Sequence, residues 1–146
     1  MLRILVVDDE VAIQGAMQRV FRKYRDRLDL QFASHAAAAV ELMAHAEFDV
    51  VISDMQMPGE NGLQLLQRVT AMDPSIYRVL MSGGLAPEIE AQAQTIAHAV
   101  IEKPCPSSML LSLFARLEEV IRQIAGTVAD AHLARLQRAP RFSYCV

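Results

Sequence analysis

Five side chains stand out because each follows directly on a short apolar run. Asp8 and Asp9 follow Ile4 to Val7, Asp54 follows Val50 to Ser53, Ser82 follows Val79 to Met81, and Lys103 stands just past Ala99 to Ile101. Carboxylates gathered within a few ångströms raise one another's pKa, so either some of such a group stay protonated or a cation sits between its members. Oxygen-only ligation with open positions suits Mg²⁺, and no His or Cys is placed to favour zinc. A metal, a hydroxyl and an ammonium around a carboxylate describe a phosphoryl site. The cations neutralise the equatorial oxygens, the hydroxyl donates a hydrogen bond, and one carboxylate attacks phosphorus. Asp54, alone at its strand end, is a better nucleophile than the adjacent pair Asp8 and Asp9. Taken singly, each residue has a plainer use as a helix cap, a turn former or a solvated charge. Their conjunction at successive strand ends favours the site.

That convergence requires a particular scaffold. The apolar runs Ile4 to Val7, Leu30 to Ala33, Val50 to Ser53, Val79 to Met81 and Ala99 to Ile101 are continuous rather than alternating, as in strands buried on both faces. Between them lie segments of helical period: Val11 to Arg25, Ala36 to Ala46, Leu63 to Ala71, Pro87 to Ile96, and Pro106 to about Ile124. Strands alternating with amphipathic helices predict right-handed βαβ units, a parallel sheet and an α/β doubly wound fold. Pro106 suits the first position of the last helix, where a missing N–H costs nothing. The turn-rich stretch Met55 to Gly62 is predicted to be a loop at the carboxyl end of the third strand, where open α/β sheets bind ligands. From Ala125 to Val146 the stripe of Ile124, Val128 and Ala131 predicts a helical extension, weakened by Gly126 and ended by Pro140.

With 146 residues, 53% apolar side chains and a formal charge of -3, the chain fits one domain, here residues 1–124, followed by an extension or linker over 125–146. Cys105 and Cys145 match neither a disulfide framework nor a thiolate metal site. No apolar run reaches the ~18 residues of a membrane span, and the opening run is too short for a signal-peptide core. A reducing, cytoplasmic setting is expected. Fourteen basic residues against 17 acidic ones argue against direct binding of nucleic acid, although Arg19, Arg22, Lys23, Arg25 and Arg27 form a local basic cluster. A solvated helix end is the plain reading of that cluster.

The segments Ile4-Leu5-Val6-Val7-Asp8-Asp9-Glu10, Asp54-Met55-Gln56-Met57-Pro58-Gly59 with Gly62, Ser82-Gly83 and Lys103-Pro104 resemble the CheY-like receiver domain of bacterial two-component response regulators. Intervals of 45 residues from Asp9 to Asp54, 28 to Ser82 and 21 to Lys103 are similar to that family's spacing. The resemblance, over residues 2–124, implies a flavodoxin-like (βα)₅ fold with strand order 2-1-3-4-5. It implies Asp54 as phosphoacceptor, and Mg²⁺ held by Asp9, Asp54 and the Gln56 carbonyl with Asp8 acting through a metal-bound water. It further implies Ser82 as switch hydroxyl, Lys103 as the phosphate-pairing cation, and a cis Lys103-Pro104 bond. Val100 stands where the family commonly has Tyr or Phe, which leaves an aromatic rotamer switch without its side chain. Cys105 replaces a frequent Phe and is expected to be a small buried hydrophobe.

The resemblance implies a signalling module rather than an enzyme: a sensor histidine kinase or phosphotransfer protein supplies the phosphoryl group. The altered face of helix four, strand five and helix five then binds an effector or a second copy. His35, His45, His98 and His132 lie on different elements away from the acidic crevice, so the donor histidine is expected from a partner. The alternative is a haloacid-dehalogenase-like phosphatase, which also uses an aspartyl nucleophile. That family places Asp-x-Asp early and an acidic pair late, and Asp8-x-Glu10 is a poor match.

Overall fold

Uninterrupted apolar strands are satisfied only when both faces of their sheet are covered. The computed structural model, which describes residues 2–103, 107–125 and 142–144, meets that demand with helices on both sides. The order is β1 (Leu2–Val7), α1 (Val11–Phe21), β2 (Leu28–Ala33), α2 (Ala36–His45), β3 (Val50–Asp54), α3 (Gly62–Met72), β4 (Tyr77–Ser82), α4 (Pro87–Ile96), β5 (Ala99–Glu102), α5 (Ser107–Ala125) and β6 (Phe142–Tyr144). All neighbours pair in parallel, in the order β2-β1-β3-β4-β5-β6. The five expected strands therefore lie in the expected order 2-1-3-4-5.

The alternation of side chains along each strand splits the core into two layers. Ile4, Val6, Val50, Ile52, Val79, Met81 and Ile101 pack with Met17 and Phe21 of α1 and Leu113, Phe114 and Leu117 of α5. Leu5, Val7, Val51 and Leu80 face the other way, against Ala39 of α2, Leu65, Leu66 and Val69 of α3, and Ala93 of α4. Burying each such branched side chain contributes about 1.5–3 kcal/mol, so the two layers fix the strands against sliding.

Several boundaries differ from the sequence expectation. The first helix stops at Phe21 rather than Arg25 and tightens into a 3₁₀ turn at Arg22–Tyr24. There Phe21, at φ -93° and ψ 0°, leaves helical geometry, and its ring stacks edge-on against Phe114 at 5.6 Å. Residues 142–144, beyond the Pro140 at which the expected helix ends, form a strand beside β5 within the 125–146 extension or linker. Phe142-Ser143-Tyr144 follows Pro140, which cannot continue a helix, and is rich in aromatic strand formers. Pro104, Cys105, Pro106 and residues 126–141 lie outside the described residues, so the expectations for the cis bond, the thiol, the helix start and most of the extension fall there.

Between β3 and α3, Asn61 and Gln64 form a capping box, with Asn61 Oδ1 accepting the Gln64 N–H and Gln64 Oε1 accepting the Asn61 N–H, each at 2.9 Å. Gly62 then donates its N–H to the Met55 carbonyl at 2.9 Å, folding the loop back over the end of β3. No side chain fits there. A Cβ on residue 62 would run into the Asp54 carbonyl oxygen, lying 2.8 Å from its carbonyl carbon and 3.0 Å from Leu80 Cδ1. Gly62→Ala is therefore expected to lower stability by about 1–3 kcal/mol, as overpacking does. Urea unfolding checks this, and an unshifted midpoint would contradict the close approach.

Candidate functional site

Each strand end is fixed by the ladder that carries it. The Asp8 N–H donates to the Ala33 carbonyl (3.0 Å), the Met55 N–H to Met81 (2.7 Å), and the Lys103 N–H to Ser82 (2.7 Å). These bonds place Asp8, Asp54, Ser82 and Lys103 on one rim of the sheet. Lys103 Nζ lies 3.2 Å from Asp8 Oδ2, 3.2 Å from Asp54 Oδ1 and 3.9 Å from Glu10 Oε1. Asp8 is fully buried, and Asp54 is buried in the crevice beside it.

The structure brings Asp8, Asp54 and Lys103 together as expected. It does not gather Asp9, which is exposed and outside the carboxylate group. The third acid present is Glu10, with carboxylate oxygens of Asp8, Glu10 and Asp54 all within 4.8 Å of one another. Asp8 Oδ1 accepts the Glu10 N–H at 2.9 Å, an Asx turn that folds residue 10 back toward the pocket. The third acid in the run Asp8-Asp9-Glu10 was the only sequence signal for it. Ser82 reaches the same rim, but its hydroxyl is turned to the next loop. Its Oγ donates to the Gly84 carbonyl at 3.1 Å and accepts the Gly84 N–H at 3.2 Å. Gln56 is exposed, and its backbone N–H bonds to the Asp54 carboxylate.

None of the histidines among the described residues faces the pocket. His35 Nδ1 caps α2 by accepting the Ala38 N–H, and His45 bonds the Glu41 carbonyl. His98 is buried, stacked on Tyr77 at 4.6 Å, with Nδ1 accepting the Arg78 N–H.

Three carboxylates surround one ammonium, and the electrostatics follow from that imbalance. Burial pushes the Asp54 carboxyl above its ordinary 3.8. The hydrogen bond and charge of Lys103 pull it down, Asp8 pushes it up, and the Gln56 N–H pulls it down. Burial works to lower the Lys103 ammonium, but Asp54 and Asp8 outweigh it and hold the group above 10.5. The two directions are compatible: Lys103 is shared with Asp8, so it does not fully offset the burial of Asp54. The donor set is all oxygen and carries more negative than positive charge, which is what a hard divalent cation requires.

The sign of the pH dependence follows. Native Asp54 holds its proton more tightly than the unfolded chain does, so stability falls as pH rises from 3.8 through the raised native value. The stabilisation through Lys103 is complete below 10.5 and is lost only as pH rises through its own raised value. Asp54→Asn removes the buried charge while Asp8 still pairs with Lys103. Thermal unfolding should show this variant more stable than the parent at neutral pH, with the gap closing in acid. A less stable Asn variant at neutrality would show that the Lys103 contact outweighs burial.

Comparisons with known proteins agree with the geometry. Residues 4–115 match the response regulator receiver domain. The sensory/regulatory protein RpfC of Xanthomonas campestris pv. campestris is 33% identical over 138 residues, covering 91% of this chain and 19% of that protein. A protein-glutamate methylesterase/protein-glutamine glutaminase of Anaeromyxobacter dehalogenans is 34% identical over 142 residues, covering 95% of this chain and 38% of that protein. The chain thus spans roughly a fifth to two fifths of these relatives. Among solved structures, the signal receiver domain of an HD domain-containing protein from Pseudomonas fluorescens Pf-5 superposes with TM-score 0.75 at 29% identity, covering 81% of this chain and 94% of that one. The response regulator TrrA of Thermotoga maritima, solved in complex with Mg(2+)-BeF, shares the fold with TM-score 0.69 at 22% identity, covering 80% of this chain and 99% of that one. The phosphatase alternative has no support in these matches, and the chain belongs to the response regulator receiver domain family of two-component signalling.

Proposed function

We propose that Asp54 is the phosphoacceptor and that this chain acts as a switch rather than as a turnover enzyme. The observation that carries this is the Asp54 carboxylate at the sheet rim, held 3.2 Å from the Lys103 ammonium beside buried Asp8. An Asp54 oxygen attacks the phosphorus of a phosphohistidine on a sensor kinase or phosphotransfer protein. The P–N bond breaks, and the imidazole leaves with the electron pair and takes up a proton. Lys103 exchanges its contact with the carboxylate for one with the phosphoryl oxygens, which carry the growing charge. Asp8, Glu10 and Asp54, whose carboxylate oxygens lie within 4.8 Å of one another, are with the Gln56 carbonyl the groups that would hold Mg²⁺, and Asp9 would have to turn inward to join them. Bound there, the ion supplies neutralisation of the phosphoryl oxygens.

Signalling then runs through Ser82. To donate to a phosphoryl oxygen, its hydroxyl gives up the bond to the Gly84 carbonyl, which frees the β4–α4 loop. Val100, half-buried in the layer under α4, lacks a ring to swing, so the loop itself carries the change. The face of α4, β5 and α5, with β6 paired along the outer edge of β5, is the surface offered to an effector or a second copy. No helix among the described residues is long and apolar enough to cross a membrane, and the reading is of a cytoplasmic domain.

Incubation with a small-molecule phosphodonor and Mg²⁺ tests the assignment. Intact-mass analysis should show one acid-stable, base-labile phosphoryl group, absent from Asp54→Asn and from metal-free samples. Lys103→Ala should fold and yet label roughly 10²-fold more slowly, the usual cost of removing one electrostatic stabiliser. Labelling of Asp54→Asn at the parent rate would overturn the proposal.

A further inference from the structure

At the end of α1 remote from the phosphoryl pocket, the chain concentrates positive charge. Arg19, Arg22, Lys23 and Arg25 are exposed, and among the described residues none has a carboxylate within ion-pair distance. Other surface cations are matched: Arg3 with Asp29, Arg27 with Glu118 and Arg68 with Glu60. The four unmatched cations are spaced to repel one another, Arg19 with Arg22 and Lys23, and Arg22 with Arg25, at three- and four-residue helical steps. The negative end of the helix offsets part of that repulsion for the last turn only. Together with Val20 and Asp26 these residues line a shallow hollow that is widely open to solvent.

We propose that this basic cup is a docking surface for an acidic, Asp/Glu-rich segment of a protein partner. Charge complementarity is the ground: a chain of net charge -3 keeps four cations without a carboxylate partner among the described residues around one hollow, with Asp26 the single acid lining it. Other polyanions fit less well. The aromatic ring beside the hollow, Tyr24, already has Lys23 and Arg27 each 5.1 Å from its centre, so that ring is not free to stack on bases. The exposed large apolar side chains among the described residues are Val11, at the opposite end of α1, and Met72 on α3, so no apolar wedge flanks the cup for insertion into lipid. The cup lies roughly 20 Å along the helix from Glu10, and docking there leaves the phosphoryl pocket open. It therefore stands whether or not Asp54 takes phosphate.

The test is fluorescence anisotropy with a labelled peptide of alternating Glu and Asp, beside a neutral peptide of equal length, a DNA duplex and phosphatidylglycerol vesicles. The acidic peptide should bind in preference to the neutral one, and combined Arg22→Gln, Lys23→Gln and Arg25→Gln should weaken it about tenfold or more, as removing several cations from one site does. Arg22→Lys with Arg25→Lys, which keeps the charge, should retain binding, and Asp54→Asn should leave it unchanged. The triple variant should melt no lower than the parent, since repulsion is relieved. Equal binding by the triple variant, no binding of the acidic peptide, or preference for DNA or vesicles would overturn the proposal.

Discussion

One ammonium among three carboxylates is the interaction on which the rest of the site depends. Lys103 can meet Asp8 and Asp54 at 3.2 Å each only if β1, β3 and β5 end on the same rim, and only a parallel arrangement does that. The sheet in turn needs cover on both faces, which the two apolar layers provide. Ion pairs of this kind are poor sources of stability, because burial opposes both partners. The raised Asp54 carboxyl shows that its charge is not fully compensated. Such a group gains from any further cation and from passing its negative charge to better-solvated phosphoryl oxygens. A fold optimised only for stability would not gather these acids.

The sequence made much of this legible because the relevant signals are local and repeated. Apolar strand runs alternating with helical stripes dictate a doubly wound sheet, and the five chemical residues sit at fixed places relative to those runs. What escaped was set by tertiary context. The hydrogen bond from the Glu10 N–H to Asp8 Oδ1 decides that Glu10 and not Asp9 joins Asp8 and Asp54, a choice between adjacent acids that periodicity cannot make. The early end of α1 reflects packing of Phe21 on Phe114, residues 93 positions apart in the chain. The strand at 142–144 depends on the open edge of β5, which is a property of the assembled sheet and not of the segment.

The unequal anchoring of the two loops beside the pocket explains where a charge placed on Asp54 would be felt. The loop after β3 is clamped by the Asn61–Gln64 capping box and by Gly62, whose hydrogen to Cβ replacement the Asp54 backbone forbids. The loop after β4 has weaker restraints. Gly83 and Gly84 have nothing within 4 Å of where a Cβ would stand, Gly84 sits at φ +144°, and Ala86 gives α4 no side-chain cap. Among the described residues its side-chain tether to the rim is the Ser82 hydroxyl on Gly84. A neutral hydrogen bond of that kind contributes about 1 kcal/mol, and one to a charged acceptor about 1.5–3 kcal/mol. On the proposed roles of Asp54 and Ser82, transfer of the Ser82 hydroxyl to a phosphoryl oxygen would therefore be favourable by a margin small enough to be reversible. A switch without an aromatic at position 100 can then work by releasing a weakly held loop, with no ring to reposition.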